Sequence, residues 1–252
     1  MIGIVIPAHN EEQRLERCLR TVIAASFHPG LHREAVKIVV VLDACRDRSA
    51  QIARTCGVET LSIDACNVGA ARAAGADYLM ACGSRWLAFT DADTIVSHNW
   101  IVSQLALRAD VVCGTVGVEE WSEHSAWVRS EYERHYMDRD GHRHIHGANL
   151  GVSAHAYAMA GGFSGLSVSE DVALVDALIA SGANIAWSAS PRVTTSARKD
   201  FKIPGGFGTC LETIQVREPD AQLLAIPQRQ ASRETALWSE PWDLDNTLNK
   251  AA

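Results

Sequence analysis

The sequence predicts an α/β protein with a mainly parallel central sheet flanked by helices, a Rossmann-like arrangement. Short, almost wholly apolar runs alternate with segments of helical periodicity through the first hundred residues. Such runs, without polar alternation, are typical of parallel strands that helices cover on both faces. The chain has 252 residues, of which 47% are hydrophobic and 21% charged, and this suits one large globular domain with an extension.

The first half of the chain contains the clearest elements. Apolar residues at helical spacing predict a helix from Asn10 to about Ser26, with Asn10 as its N-cap and Glu11 and Glu12 in its first turn. Two further helices are expected near Ser49–Cys56 and over the Ala-rich segment Asn67–Cys82. The predicted strands between them are Ile2–Ile6, Val36–Leu42, Val58–Ile63 and Trp86–Thr90.

The second half is less regular. A charged, aromatic helix is predicted over Trp121–Arg139, and a second helix over Ser169–Ser181, with Gly182 as its stop. A further helix is expected at Gly205–Val216. The predicted strands are Ala109–Val118, Ala148–Ser153, Ile185–Trp187 and Arg192–Thr195. Residues 218–252 are polar and are interpreted as a tail that lies over the domain or over a partner, which makes them a candidate homodimer interface.

Composition narrows the functional classes. The net charge of −7 argues against a general nucleic-acid or anionic-membrane surface. No apolar run approaches the roughly 20 residues that a membrane span needs, and the N-terminus lacks the basic region of a signal peptide. The seven cysteines are odd in number and form no C-x-x-C pair, which indicates free thiols in a reducing compartment. We therefore expect a cytoplasmic protein without a membrane span or a nucleic-acid partner.

An acidic tripeptide, Asp91-Ala92-Asp93, ends the fourth predicted strand. Ligands of open α/β sheets bind at this edge, outside the carboxyl ends of the strands. Two nearby carboxylates repel each other, and a divalent cation removes that repulsion. Hard oxygen donors suit Mg²⁺ or Mn²⁺, which complete their shells with waters and substrate phosphates. The tripeptide therefore predicts a metal–diphosphate site, with plain capping of the next helix as the alternative.

Several segments together carry a resemblance to a known family. They are 5–12 (VIPAHNEE), 39–49 (VVVLDACRDRS), 67–75 (NVGAARAAG) and 90–93 (TDAD), followed by 147–152, 161–163 and 169–174. This ordered series resembles the family 2 glycosyltransferases with the GT-A fold. The resemblance implies inverting transfer of a sugar from a nucleotide-diphosphate-sugar to an acceptor hydroxyl, with Mg²⁺ or Mn²⁺ as cofactor. It also implies one domain over 1–217, with a nucleotide-sugar-binding half at 1–100 and an acceptor-binding half at 101–217.

The resemblance assigns donor binding to strand ends and helix starts. Arg72 would offer its guanidinium to the base or the diphosphate, or would form a surface ion pair. Asp43 would bind the edge of the base, although Leu42 stands where the family usually has a second acid. Asp47 and Asp64 are weaker candidates, and Asp47 is more typical of a helix cap. The full set of predicted nucleotide-sugar ligands is Pro7, Ala8, Asn10, Glu11, Asp43, Asn67, Gly69, Arg72, Asp91, Ala92, Asn149 and Arg198.

The resemblance also implies metal ligands and a catalytic base. Asp93 would bind the metal directly, and Asp91 would bind the sugar, the ribose or the metal's waters. His146 is a further candidate ligand, from a histidine-rich stretch that favours a mobile loop over a zinc site. Asp171 is the candidate general base and Glu170 the fallback, since both begin a helix, where acids also serve as partners of the helix dipole.

Other features leave alternatives open. Arg198 and Lys199 precede a glycine-bearing basic segment that is either a lid over the diphosphate or a solvated loop. Trp121 and Trp127 are candidates for an acceptor groove. Two other functions compete with sugar transfer: a non-catalytic nucleotide-sugar-binding module and a nucleotidyltransferase. The second usually shows a Gly-rich, basic signature after its first strand, which Pro7–Glu11 lacks.

Overall fold

The computed structural model describes residues 1–118, 120–166, 168–200 and 207–218. Strands and helices alternate through this part of the chain. The strands are β1 (Ile2–Ala8), β2 (Val36–Asp43), β3 (Glu59–Ile63), β4 (Trp86–Phe89), β5 (Ile95–Val96), β6 (Val111–Val118), β7 (Leu150–Ser153) and β8 (Ile185–Thr195). The α-helices are α1 (Leu15–Ser26), α2 (Ser49–Thr55), α3 (Val68–Ala81), α4 (Trp100–Ala106), α5 (Ala126–His135), α6 (Ala154–Met159), α7 (Glu170–Ala180) and α8 (Phe207–Val216).

The strands form one sheet in the order β3-β2-β1-β4-β7-β6-β8-β5. β1 pairs in parallel with both β2 and β4, β2 pairs in parallel with β3, and β6 with β8. The antiparallel strand β7 lies between β4 and β6, and the short strand β5 pairs antiparallel with β8. This confirms the predicted α/β class with a mostly parallel sheet. The carboxyl ends of β1, β2 and β4 therefore lie along the same edge.

The core lies on both faces of this sheet, as its apolar strands predict. Successive residues of β1 point to opposite faces. Ile4 and Ile6 pack on the face that contains Leu19 of α1, and Val5 packs on the face that contains Leu79 of α3. All five side chains are fully buried. Because β1 and its neighbours are held from both sides, the turns at their carboxyl ends start from rigid positions.

Helix α1 begins later than predicted, and the expectation that Asn10 caps it is wrong. The helix starts at Leu15. Asn10 instead adopts a left-handed backbone conformation with φ of 53°, and its Oδ1 accepts a hydrogen bond from the backbone N–H of Arg46 at 2.8 Å. The side chain is therefore used to join the turn after β1 to the turn after β2. Periodicity alone does not reveal that contact between segments 36 residues apart.

Two other elements differ from the prediction. The segments predicted as separate strands at 185–187 and 192–195 are one strand, β8, which contains Pro191. Pro191 is tolerated because the register with β6 shifts between Gly114 and Val116, so the proline falls where the ladder is interrupted. The aromatic helix is shorter than predicted, because Ser125 caps α5 by accepting a hydrogen bond from the Val128 N–H at 3.2 Å.

The chain forms two compact units. Of the described residues, the first unit comprises 1–118, 137–166 and 168–196 and contains the whole sheet, and the second comprises 120–136, 197–200 and 207–218. Within the second unit, Tyr132 of α5 stacks on Tyr136 at 5.1 Å and meets Phe207 of α8 edge-on at 5.6 Å.

Some predictions fall on residues that are not described. Residues 219–252 of the predicted tail at 218–252, with the homodimer interface predicted on it, lie outside the described residues. Lys202, Gly205 and Gly206 of the basic segment lie outside them as well. The boundary after residue 217 stays a prediction. Among the described helices, none combines the length and the apolar character that crossing a membrane requires.

Candidate active site

The acidic tripeptide forms a tight turn at the end of β4. Ala92 is buried, whereas Asp91 and Asp93 on either side of it are half-buried. The backbone N–H of Thr94 donates to the Asp91 carbonyl oxygen at 3.1 Å and closes the turn. The buried thiol of Cys18, on α1, donates to the same carbonyl oxygen at 3.3 Å. The turn is thereby held against the core, and its two carboxylates occupy defined positions.

Asp91 is ion-paired with Arg72, the predicted phosphate or base ligand. The Nη2 atom of Arg72 donates to Asp91 Oδ1 at 2.6 Å, and its Nη1 atom donates to Glu170 Oε1. Burial opposes the charge of Arg72, but the carboxylates of Asp91 and Glu170 outweigh that effect and raise the pKa of the guanidinium. Burial likewise raises the pKa of Glu170, against the attraction of Arg72. One guanidinium therefore joins α3, the acidic turn and the start of α7.

Asp93 has a different environment, built from hydroxyl groups. The Thr195 hydroxyl donates to Asp93 Oδ1 at 3.3 Å, and the Thr94 hydroxyl donates to Thr195 Oγ1 at 3.0 Å. Thr195 reaches this position because β8 pairs with β5, which follows the acidic turn directly. Sequence reasoning missed both threonines, since nothing in a run of strand residues marks Thr195 as a neighbour of a carboxylate about a hundred positions earlier.

Asp171, the predicted general base, lies in the first turn of α7. Its Oδ2 accepts a hydrogen bond from the backbone N–H of Gly147 at 2.7 Å, and its Oδ1 accepts one from the N–H of Val172 at 2.9 Å. The carboxylate is therefore fixed between a helix N-terminus and the loop that precedes β7. Its sequence neighbour Glu170 is the carboxylate bound to Arg72, so the two acids of the pair occupy different surroundings.

Two glycines permit this packing. A Cβ atom on Gly147 would lie 2.4 Å from Cζ of Arg72, so the guanidinium lies directly against the backbone there. A Cβ atom on Gly69 would lie 2.7 Å from the carbonyl oxygen of Ser164 and 3.1 Å from Cβ of Glu170. The distances of 2.4 Å and 2.7 Å are too short for a side chain at either position. Gly69, predicted as a nucleotide ligand, therefore also allows α3 to approach the segment before α7.

The predicted base-binding residues cross-link the neighbouring turns. Asp43 is buried at the end of β2, where its Oδ1 accepts hydrogen bonds from the N–H groups of Ala65 and Cys66, each at 2.8 Å. Its Oδ2 accepts a bond from the N–H of Asn67 at 2.7 Å. Asn67 in turn caps α3, since its Oδ1 accepts a bond from the Ala70 N–H at 2.9 Å. These residues thus shape the loop between β3 and α3.

The turn after β1 is tied to the same region. Pro7 and Ala8 end β1 as buried residues. The N–H of Glu11, which is itself buried, donates to Ser49 Oγ at 2.9 Å. Asp47 accepts a hydrogen bond from the Ser49 N–H at 2.9 Å, and its other oxygen accepts one from the Glu12 N–H at 2.8 Å. Asp47 therefore has the contacts of a helix-start residue.

Asn149 lies in the interior of the first unit, with 1% of its surface exposed. Its Oδ1 accepts a hydrogen bond from Trp100 Nε1 at 2.9 Å, and its Nδ2 donates to the carbonyl oxygens of Thr115 and Pro191. The amide is therefore used to tie α4 to the two strands at the β6 irregularity. A role of Asn149 in donor binding stays a prediction.

The histidine-rich stretch forms a stacked row. The rings of His142 and His144 are 5.5 Å apart, and those of His144 and His146 are 5.9 Å apart. Burial, reinforced by the neighbouring imidazoles, lowers the pKa of His144 to about 4 and that of His146 to about 3. These histidines are therefore neutral at pH 7. In the second unit Arg198 lies 3.9 Å from the Asp200 carboxylate, and its predicted donor contact, like the metal ligation predicted for His146, stays a prediction.

Comparison with known proteins identifies the family. The sequence pattern described as Glycosyl transferase family 2 matches residues 3–161, more than half of the chain. No curated protein matches the sequence.

Solved structures share the fold at low identity. TarS 1–349 from S. aureus in complex with UDP-GlcNAc superposes with a TM-score of 0.61 at 13% identity, over 82% of this chain and 61% of that one. Mannosyltransferase PcManGT from Pyrobaculum calidifontis, in complex with GDP-Man and Mn²⁺, gives a TM-score of 0.56 at 14% identity over 79% and 57%. Glucosyl-3-phosphoglycerate synthase from Mycobacterium tuberculosis gives 0.50 at 17% over 78% and 70%.

At these identities the structural likeness concerns the fold, and the chain spans about three fifths of the TarS fragment. The family assignment rests on the sequence match, which begins at the second residue of β1 and extends beyond β7. Fold and sequence pattern agree: this chain belongs to glycosyl transferase family 2 and has the GT-A type of α/β fold.

Proposed function

We propose that this protein is an inverting, divalent-metal-dependent glycosyltransferase that moves a sugar from a UDP- or GDP-linked donor to an acceptor hydroxyl. The observation that supports it best is that three carboxylates act on one buried guanidinium at the carboxyl-end edge of the sheet, beside a fourth carboxylate in the acidic turn. Asp91, Glu170 and Asp171 all act electrostatically on Arg72. Asp93 lies in the same acidic turn, two residues after Asp91. Similar structures hold UDP-GlcNAc in one case and GDP-Man with Mn²⁺ in another, which supports the donor class.

The chemistry of the donor atoms fits Mg²⁺ or Mn²⁺. Asp93 offers carboxylate oxygens beside the hydroxyls of Thr94 and Thr195, and these are hard oxygen ligands. Within the described ranges, no group of three His, Cys, Asp or Glu side chains is arranged to hold a metal. Mg²⁺ usually takes one or two protein carboxylates and fills its shell with waters and substrate phosphates. When bound, such an ion would stabilise the negative charge of the departing nucleotide.

The nucleotide would bind where the turns after β1 and β2 meet. Asp43 and Asn67 fix the loop before α3, and Asn10 joins the two turns through its bond to Arg46. Backbone groups of Pro7 and Ala8 would then line the pocket for the base and the ribose. This edge is where ligands of open α/β sheets bind. The hydrogen bonds of these turns would hold such a pocket in one shape before the donor arrives.

Asp171 would act as the general base. A carboxylate has about four lone-pair positions, and the two hydrogen bonds from Gly147 and Val172 occupy only part of them. The remaining positions can accept the proton of the acceptor hydroxyl as its oxygen attacks the anomeric carbon from the side opposite the diphosphate. Glu170 is less suited to this task, because it is 5% exposed and bound to Arg72.

The proposal is tested by separating binding from turnover. Asp171→Asn keeps size and shape, so UDP or GDP binding with Mn²⁺, measured by calorimetry, should be unchanged. Its sugar-transfer rate should fall by about 10²–10⁴, the range expected for loss of a general base. Asp93→Ala should abolish metal-dependent transfer. Unchanged transfer by Asp171→Asn would refute the assignment of the base.

The donor and the competing functions are resolved by two further measurements. Ligands that bind the native state raise the melting temperature, so a panel of nucleotide-sugars with and without Mn²⁺ identifies the donor. Donors labelled separately in the sugar and in the nucleotide show which part reaches the product. Label from the nucleotide would indicate a nucleotidyltransferase. Mn²⁺-dependent binding without any donor hydrolysis would indicate a binding module.

A further inference from the structure

Arg72 lies at the centre of the candidate active site and is almost entirely enclosed. Its side chain is 4% exposed, and its terminal nitrogens donate to Asp91 and Glu170. The Nε atom is buried and has no hydrogen-bond partner among the described residues. The ring of Phe163 lies 5.9 Å from Cζ. Groups of the protein itself therefore surround this cation.

The backbone closes the remaining side. Gly147 lies so near that even a Cβ atom there would be 2.4 Å from Cζ of Arg72. A ligand for a diphosphate must direct its N–H groups toward the phosphate oxygens, and the terminal nitrogens of Arg72 are instead directed toward carboxylates of the chain. The guanidinium is thus better placed to hold protein groups than to bind the donor.

We propose that Arg72 is a positioning residue that holds the acidic turn and the helix bearing the predicted base in one arrangement, with Glu170 as its counter-ion. This inference rests on the proposed function, because it assumes that Asp91 and Asp171 act in sugar transfer. The planar fork of a guanidinium can bond two carboxylates at once, whereas an ammonium group is a point charge without that geometry. Arginine is therefore required at this position for shape as well as for charge.

The bridge has an electrostatic consequence that separates it from phosphate binding. A guanidinium 2.6 Å from Asp91 weakens the attraction of that carboxylate for a cation. Removing Arg72 should therefore leave Mn²⁺ binding unchanged or tighter. Nucleotide binding should persist, because the bridge makes no contact with the diphosphate. Turnover should fall, because Asp91 and Asp171 are no longer held relative to each other.

The test compares Arg72→Met with the wild-type chain and with Arg20→Met. Arg20 is a matched control because it lies on α1, is 75% exposed and forms an ion pair with Glu16 on the helix surface. Calorimetry gives the affinity for Mn²⁺ alone, and for UDP and GDP at saturating Mn²⁺. We expect nucleotide affinity within about threefold of wild type and kcat at least about 100-fold lower. Nucleotide binding weakened by about tenfold or more, with Mn²⁺ affinity unchanged, would identify a phosphate ligand and overturn the proposal.

A second variant covers the case in which Arg72→Met does not fold. Arg72→Lys keeps the charge that a phosphate ligand needs but cannot bridge both carboxylates. If Arg72 is a positioning residue, the lysine variant keeps nucleotide affinity and loses most of its kcat. A lysine variant with wild-type kcat would overturn the proposal.

A third measurement needs no ligand and separates this inference from the proposed function. Absence of Mn²⁺-dependent nucleotide binding in the wild-type chain would count against the proposed function alone. Urea unfolding of Arg72→Lys, Glu170→Gln and the double variant tests the bridge by itself. Residues that share an ion pair give non-additive losses of stability. Additive losses would show that the two side chains do not act together.

Discussion

Gly147→Ala is the most direct probe of how tightly the candidate active site is packed. The added methyl group would lie 2.4 Å from Cζ of Arg72, and ordinary contacts between carbon atoms begin at about 3.5 Å. The guanidinium must therefore retreat by roughly 1 Å, which is enough to break hydrogen bonds whose optimal length lies near 2.8 Å. The substitution acts on the ion pairs without changing any charge.

The cost follows from the burial of the groups involved. Breaking a buried ion pair costs about 3–5 kcal/mol. Asp91 is 34% exposed, so water can replace part of its lost hydrogen bond to Arg72. We therefore expect a loss of stability at the lower end of this range. The backbone of Gly147 is not in a left-handed conformation, so alanine fits it without strain. Alanine also lowers the conformational entropy of the unfolded chain, which offsets roughly 0.5 kcal/mol of the loss. We expect a net loss near 3 kcal/mol, which corresponds to a melting temperature lower by roughly 6–12 °C for a domain of this size.

The assay is urea unfolding followed by circular dichroism, with Gly165→Ala as the matched control. A Cβ atom on Gly165 meets nothing within 4 Å, so that variant should stay within about 0.5 kcal/mol of wild type. In an Arg72→Ala background the clash disappears, and Gly147→Ala should then cost almost nothing. A Gly147→Ala protein as stable as wild type, or an equal loss in both backgrounds, would refute the packing argument.

Three further predictions concern other parts of the first unit. Thr195→Val removes the hydroxyl that donates to Asp93 and keeps the side-chain volume, so Mn²⁺-dependent nucleotide binding should weaken by about tenfold. Thr195→Ser keeps the hydroxyl and should bind like the wild type. Equal affinities in all three proteins would contradict a role of Thr195 in positioning Asp93. His146 has a folded-state pKa of about 3, below its unfolded value, so its neutral form stabilises the native state above about pH 6.5, and that stability is lost as the pH falls toward 3. Urea unfolding should therefore show a shallower loss of stability between pH 7 and 5 in His146→Gln, and an unchanged slope would refute the link. Asn149→Asp places a carboxylate oxygen against two carbonyl oxygens in the interior and should cost more than about 3 kcal/mol, whereas the exposed control Asn99→Asp should be neutral in the same assay; comparable stabilities for the two variants would exclude the buried network.

The sequence predicted best those elements whose pattern of apolar residues fits only one kind of secondary structure. β1 and β4 are uninterrupted apolar runs, and β2 is broken only by Lys37 before it ends at Asp43. Strands covered on both faces need such runs. β5 was not predicted, because two residues carry no periodicity. β8 was predicted as two strands, because Pro191 looks like a break when its partner strand is not known.

The candidate site likewise has features that the sequence predicts and features that only the structure shows. The spacing of Asp91 and Asp93 marked a carboxylate pair at the end of a strand, and that required only the chain itself. Asp91 pairs with Arg72, and Asp93 accepts a hydrogen bond from Thr195, because α3 and β8 meet at that turn. The sequence does not show which carboxylate makes which contact. Neither contact has a local signature, because Arg72 and Asp91 are 19 positions apart and Thr195 and Asp93 are 102 positions apart.

The sequence by itself determined the α/β class, the order of the first four strands along the chain and the family, because burial pattern and motif order are properties of the linear chain. Only the tertiary structure decided that Glu170 faces a guanidinium while Asp171 faces a backbone N–H. No local rule distinguishes two adjacent acids at the start of a helix, because either can interact favourably with the helix dipole. Their surroundings differ because successive side chains on a helix point about 100° apart, toward different neighbours.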